Sequence, residues 1–197
     1  MDERKDVDLN DEMNIGINSW VIQGGHYPDF TIGQKRCFAL EFYPKSLQPS
    51  SGTDVSMQSL GANRYRVCAK IVFATEKCWV IDCGVLAYKE RELPKSFSCG
   101  SYVEGDLSIS VDSYMYLKYF HALSGMPALS YQWLVSGIEM ETTPWIEVRP
   151  RYMERDLRRE SYLKINGTDA RNDDGCHANY MLYAKLLRGP SLPLRFV

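Results

Sequence analysis

RYRVCAKIVF, residues Arg64 to Phe73, decides the fold. Tyr65, Val67, Ala69, Ile71 and Phe73 fall on one side of an extended chain, with Arg64, Arg66, Cys68 and Lys70 on the other. Successive side chains of a strand point to opposite faces, so this period of two marks a half-buried β-strand. Trp79, Ile81, Cys83 and Val85 continue the pattern after Thr75 to Lys77, a stretch short enough for a hairpin connection. The odd-numbered side must face the core, because a one-residue slip would bury Arg64, Arg66, Lys70 and Asp82 instead.

Working outward, Leu107, Ile109 and Val111 alternate with Ser108 and Ser110 in another strand pattern. Upstream, Ile15 to Gln23 reads as a strand stopped by Gly24 and Gly25, and Arg36 to Tyr43 as one that ends at Pro44. Lys45 to Asn63, rich in Ser, Gly and Pro, reads as a long loop. Downstream, strands are expected over Tyr131 to Met140, Trp145 to Arg149, Tyr162 to Ile165 and Ala178 to Leu187, with Arg151 to Glu160 as a short surface helix or ordered loop. One segment keeps a different rhythm. Tyr116, Tyr119, Phe120 and Leu123 recur at i, i+3, i+4 and i+7, which predicts an amphipathic helix from Tyr114 to Ser124, capped by Asp112 or Ser113 and closed by Gly125 and Pro127. Many antiparallel strands with one central amphipathic helix (about 114–124), and no βαβ alternation, predict a mainly β fold: an antiparallel β-barrel or β-sandwich. Residues 1–12, charged and aperiodic, read as a disordered leader; residues 13–197 read as a single β-rich domain.

Composition narrows the class of protein. With 45% hydrophobic and 24% charged residues, the 197-residue chain has the balance of an ordinary globular domain and not of a disordered or collagen-like one. No apolar run approaches the roughly 20 residues that cross a bilayer. The charged start lacks the apolar stretch of a signal peptide, so a soluble, cytoplasmic protein is expected, without a membrane partner. Residues 1–12 hold six acids and two bases, leaving 21 bases against 19 acids in the other 185 residues. Such a near-neutral body has no global field to steer a polyanion. Cys37, Cys68, Cys78, Cys83, Cys99 and Cys176 form no C-x-x-C pair. They are expected to be reduced and structural, with Cys37 and Cys68 as small buried hydrophobes. The sequon at Asn166 is then a chance match on a turn.

Catalytic signatures are missing from the sequence. It contains no G-x-S-x-G elbow, no P-loop and no G-x-G-x-x-G, and the spacing of His26, His121 and His177 marks none as a base. Carboxylates recur at Glu139, Glu141 and Glu147; on a strand Glu139 and Glu141 share one side and read as an exposed charged face. Asp169, Asn172, Asp173, Asp174, Cys176 and His177 crowd donor atoms into one loop. A calcium loop with Gly175 at position six would need an oxygen ligand where Ala170 stands, and the adjacent Cys176 and His177 suit a single zinc ion poorly. Asn172-Asp173-Asp174-Gly175 is a strong turn sequence, and neither a metal nor a cofactor is expected.

By elimination the leading expectation is a non-enzymatic protein-binding domain, in its finer form an inhibitor or immunity protein that occludes a partner's surface. His26, Tyr27, Asp173, Asp174 and His177 are the candidate contacts, since an acidic loop can stand in for an anion at a basic partner site. The alternative is a nucleic-acid-binding β-barrel, which would use Arg64, Arg66 and Lys70 on one strand, and Arg155, Arg158 and Arg159 in the later basic cluster. A second alternative is a metal-dependent hydrolase built on Asp173, Asp174 and His177.

Overall fold

The computed structural model describes residues 12–192 and is mainly β, with a closed barrel core and few short helices. β1 (Glu12–Asn18) runs directly into one helical turn, α1 (Ser19–Gln23). β2 (Lys35–Phe38) and β3 (Leu40–Pro44) form one extended run interrupted at Ala39, followed by the short β4 (Gln48–Ser50) and β5 (Ser56–Ser59). Next come β6 (Arg64–Ala74), β7 (Trp79–Asp82), β8 (Leu86–Lys89) and β9 (Tyr102–Val111). α2 (Met115–Lys118) and a 3-10 turn at Phe120–Ala122 lead to β10 (Ser130–Glu141). β11 (Trp145–Arg149), β12 (Tyr152–Arg155), β13 (Tyr162–Ile165) and β14 (Asn179–Ser191) complete the order.

β9 is the wall that two closed rings share. In the first ring β9 pairs with β6, β6 with β7, β7 with β8, β8 with β3, and β3 returns to β9; only the β3–β8 pair is parallel. In the second, β9 meets β1, β1 pairs with β14, β14 with β10 and β10 with β2, whose chain continues into β3. The break at Ala39 lets one run of chain serve both rings, because Phe38 faces Tyr131 of β10 while Leu40 faces Val111 of β9. β1 and β9 touch at the single parallel pair Gly16 and Ser110. Asn63 fills the gap there, its amide donating to the Ile109 carbonyl at 2.9 Å. A Cβ on Gly16 would come within 2.5 Å of the Asn63 amide nitrogen, so a side chain there would displace Asn63 from the gap. Gly105 is needed for a stronger reason: its φ is +140°, and a Cβ would sit 2.0 Å from the Ser46 carbonyl oxygen.

The core follows the period of two read from the sequence. Tyr65, Val67, Ala69 and Ile71 of β6 are buried, as are Trp79, Ile81, Cys83 and Val85, whereas a bulge after Ile71 sets Phe73 opposite Val80, so that it lies half-buried on the other face and not on the inner one expected. Across the shared wall, Leu107, Ile109 and Val111 join the same core. The other face of β7 and β8 is also covered: Val80 and Tyr88 pack with Tyr116, Phe120 and Leu129 in a second cluster. Of the expected stripe, Tyr116, Phe120 and Leu123 pack in that cluster while Tyr119 is exposed, and the helix expected over 114–124 is cut to α2 and the following 3-10 turn, because Tyr119 leaves helical geometry. A short, aromatic-rich helix is marginal alone. Packing sets its path here, with the Leu129 amide donating to the Tyr116 hydroxyl at 2.9 Å.

Other boundaries shift for local reasons. The strand expected over Ile15 to Gln23 ends at Asn18, where the chain turns into α1 and Ser19 donates to the Cys176 carbonyl. The Lys45 to Asn63 loop contains β4 and β5, short polar strands with little apolar rhythm, and Arg151 to Glu160 contains β12 and a 3-10 turn. Cys37, expected inside, is exposed, because Arg36 and Phe38 take the inward positions of β2; Cys78 and Cys83 are the buried thiols, and all six cysteines are free. The leader expected over residues 1–12 lies outside the described residues except for Glu12, which opens β1 and pairs with Lys185. Among the described residues no helix is long and apolar enough to cross a membrane.

Candidate functional site

Beyond Glu141 the chain leaves the barrel. β11 and β12 pair only with each other, as a separate two-stranded ribbon in which Trp145 faces Arg155, Ile146 faces Glu154, Glu147 faces Met153 and Arg149 faces Tyr152. Val148 is the extra residue of a bulge. At the tip, Arg151 takes a positive φ of 64° and its amide donates to Glu147 Oε1 at 2.8 Å. Every residue of β11 is exposed. Trp145, Ile146, Val148, Tyr152 and Met153, with Leu163 on the adjacent edge strand β13, are each between 41% and 54% exposed. The pairing register sets Trp145 and Met153 on one face of the ribbon and Ile146 and Tyr152 on the other, so both faces carry exposed apolar side chains.

Arg155 fixes the base of this arm. Its side chain is nearly buried and donates to the Thr143 carbonyl at 2.6 Å, while its guanidinium carbon lies 4.0 Å from the centre of the Trp145 ring. It is ion-paired with Asp174 and stands 3.9 Å from Glu141, whose other contact is the Asn179 amide at 2.8 Å. The arm is therefore tied to both the barrel end and the 169–177 loop. That loop is held from within: Asp173 accepts from the Tyr180 hydroxyl at 2.8 Å and the Asp169 amide at 2.9 Å, and Asn172 donates to both Asp169 oxygens. Burial and the Asp173 carboxylate push the Tyr180 hydroxyl well above its ordinary range. Gln23 clamps the loop from outside through the Ala170 and Cys176 carbonyls, at 2.5 and 2.9 Å.

The residues singled out in the sequence land in several places. Asp174 and Arg155, assigned to different functions there, meet as an ion pair, while His177 is exposed at the end of the same loop. Arg158 and Arg159 are exposed on a 3-10 turn N-capped by Asp156, whose carboxylate accepts from the Arg158 amide at 3.2 Å. Arg66 donates to both oxygens of Asp106 at 2.8 and 3.2 Å, which holds that carboxyl below its ordinary range. Arg64 lies 3.9 Å from Glu160, and Lys70 sits opposite Asp82 with Tyr102 nearby. Asp173 is bonded to Tyr180 and Asp174 is paired with Arg155, and among the described residues no group of three or more His, Cys, Asp and Glu is placed to hold a metal.

His26 and Tyr27 point to a second centre that sequence reasoning missed. His26 is exposed and stacks on Tyr114 at 4.2 Å, but Tyr27 is buried and its hydroxyl has no hydrogen-bond partner. Burial, the charge of Asp112 and the neighbouring Tyr114 raise that hydroxyl's pKa. Asp112, at the end of β9, is fully buried; it accepts from the Tyr88 hydroxyl and from the Tyr116 and Leu117 amides at 3.1 and 3.4 Å, so it caps α2. Burial pushes its carboxyl up to about 6 despite those hydrogen bonds, with nearby Glu41 adding to the shift. Glu41 is itself buried between Lys89 at 2.9 Å and the Ser113 hydroxyl at 3.1 Å, and the Lys89 ammonium lies 4.0 Å from the centre of the Tyr43 ring. This network ties α2 to the shared wall of the rings. The signal for it was Glu41, a lone acid inside the apolar run from Phe38 to Tyr43.

The fold and its arm define a β-barrel protein with a projecting apolar ribbon. No protein-family model, no curated protein and no solved structure matches the chain.

Proposed function

We propose that this chain is a non-enzymatic protein-binding domain whose contact surface is the β11–β12 arm. One observation carries the reading: a two-stranded ribbon with exposed apolar side chains that no other element of the described structure covers. Exposed apolar side chains beside charged groups are the usual composition of a recognition surface, and the ribbon offers the aromatics Trp145 at its base and Tyr152 near its tip. In the finer form of the reading, an inhibitor or immunity protein, the arm would be the part that enters a partner's active site. The nucleic-acid alternative draws on Arg158 and Arg159, since Arg64, Arg66 and Arg155 each face a carboxylate.

The test compares capture from the native host by the wild-type chain, an Ile146→Asp/Met153→Asp variant and a Lys70→Ala control. A stoichiometric partner held by the wild type and the control, and lost by the arm variant, is expected. Equal recovery by all three, or turnover of a substrate by the pure protein, would overturn the reading.

A further inference from the structure

We propose that a cleft beside α2 is a small-molecule site for an aromatic monocarboxylate. The cleft shares no residue with the arm and holds about 550 Å³, within the range of small-molecule sites. Part of its lining is apolar and comes from α2 and the 3-10 turn, where Met115 and Leu123 are half-buried and Phe120 is buried. Tyr119 completes that part. Its place in the i, i+3, i+4, i+7 stripe would bury it, but the break in the helix turns it out, 50% exposed, onto the cleft. An exposed phenol ring next to a buried phenyl ring is a surface on which a further aromatic ring can pack.

Charge selects the head group of the ligand. The rest of the lining is Lys77, from the turn between β6 and β7, with Glu90 and Arg91, which follow β8. All three are exposed, and among the described residues none of them is in an ion pair. Their neighbours Glu76 and Glu92 do not line the cleft, so two cations meet one acid there. The Lys118 ammonium, 5.0 Å from the centre of the Tyr119 ring, adds to the positive side. A single carboxylate balances the lining, whereas an amine adds to its excess and a second negative charge meets Glu90. Arg91 can hold that carboxylate through two parallel hydrogen bonds. Both cations stand on fixed backbone, which lowers the cost of ordering them on a ligand. The Thr75 hydroxyl accepts from the Lys77 and Cys78 amides, each at 3.2 Å, and the Arg91 amide donates to the Lys89 carbonyl at 3.0 Å.

Titration of the full chain with 3-phenylpropionate, followed by amide chemical shifts, tests the proposal. Saturable shifts centred on Lys77, Arg91 and Tyr119 are expected. 3-Phenylpropan-1-ol keeps the ring without the charge and should bind at least ~10-fold more weakly. Hexanoate keeps the charge without the ring and should bind ~3-fold more weakly or worse. Lys77→Ala/Arg91→Ala and Tyr119→Ala should weaken 3-phenylpropionate by the same respective factors; all three positions are exposed, so each variant should melt as the wild type does. Absence of saturable shifts, or shifts centred elsewhere on the barrel, overturns the site. Equal binding of the alcohol overturns the carboxylate, equal binding of hexanoate overturns the aromatic ring, and unchanged affinity in the variants overturns the assignment to these residues.

Discussion

β6 alternates Tyr65, Val67, Ala69 and Ile71 with Arg64, Arg66 and Lys70, and β11 alternates Ile146 and Val148 with Glu147 and Arg149. β6 has one apolar side, which is buried, whereas β11 carries Trp145 on the side of Glu147 and Ile146 on the other, and all of its residues are exposed. β6 lies between β7 and β9 in a closed ring, whereas β11 has one partner strand and no covering layer. Alternation selects which side chains share a face. What lies over that face comes from contacts distant in sequence.

Four measurements sharpen the contrast. Ile71→Ala should destabilise the fold by ~2–5 kcal/mol in denaturant melts, and Lys70→Ala by under ~1 kcal/mol; equal losses would mean that β6 has no inner and outer side. The second uses the buried carboxyl behind the same wall. Because burial raises the Asp112 pKa from 3.8 to about 6, the folded state prefers the neutral acid. The stability this gives is complete below the unfolded value and is lost as pH rises through about 6, a difference on the order of 3 kcal/mol between the two limits. Melting from pH 4 to 7 should show that decline in the wild type relative to Asp112→Asn; parallel profiles would count against a buried acid.

At the junction between barrel and arm, Arg155→Ala leaves Glu141 and Asp174 without their cation and should cost ~1–3 kcal/mol. Hydrogen exchange should quicken in β11 and β12 and stay unchanged in β6, while uniform quickening would show that the arm is not a separate unit. The smallest effect belongs to the arm, where Val148→Ala should change stability of the monomer by no more than ~0.5 kcal/mol. A loss as large as that of Ile71→Ala would mean that the arm is packed in the monomer.

Much of the barrel was legible because its strands are buried on a regular face. β6, β7 and β9 repeat the period of two closely enough to fix both element and orientation. Ala39 was not legible as a break, since the apolar pattern runs through it and only the choice of partner changes, from β10 to β9. β4 and β5 are held by backbone pairing and a few polar side chains, which leave no apolar rhythm to read. Of the arm, β11 was legible as a strand and β12 was not, because the mixed charges of Arg151 to Glu160 hide its short extended run. The Asp112 network was hidden for another reason. Its members, Tyr27, Glu41, Tyr88 and Asp112, come from four separate segments that only ring closure brings together.

The shared wall also orders the birth of the molecule. All five strands of the first ring lie between Leu40 and Val111, one unbroken stretch of chain. The second ring needs β1 from before that stretch and β14 from after it, paired as far apart as Glu12 and Lys185. On a ribosome, the first ring can close while β10 and β14 are still unmade, and β1 must wait for the last of its neighbours. During that interval β1 is a solitary edge in search of a strand, so a pause in translation after Val111 is when this chain is most exposed to pairing with the wrong one.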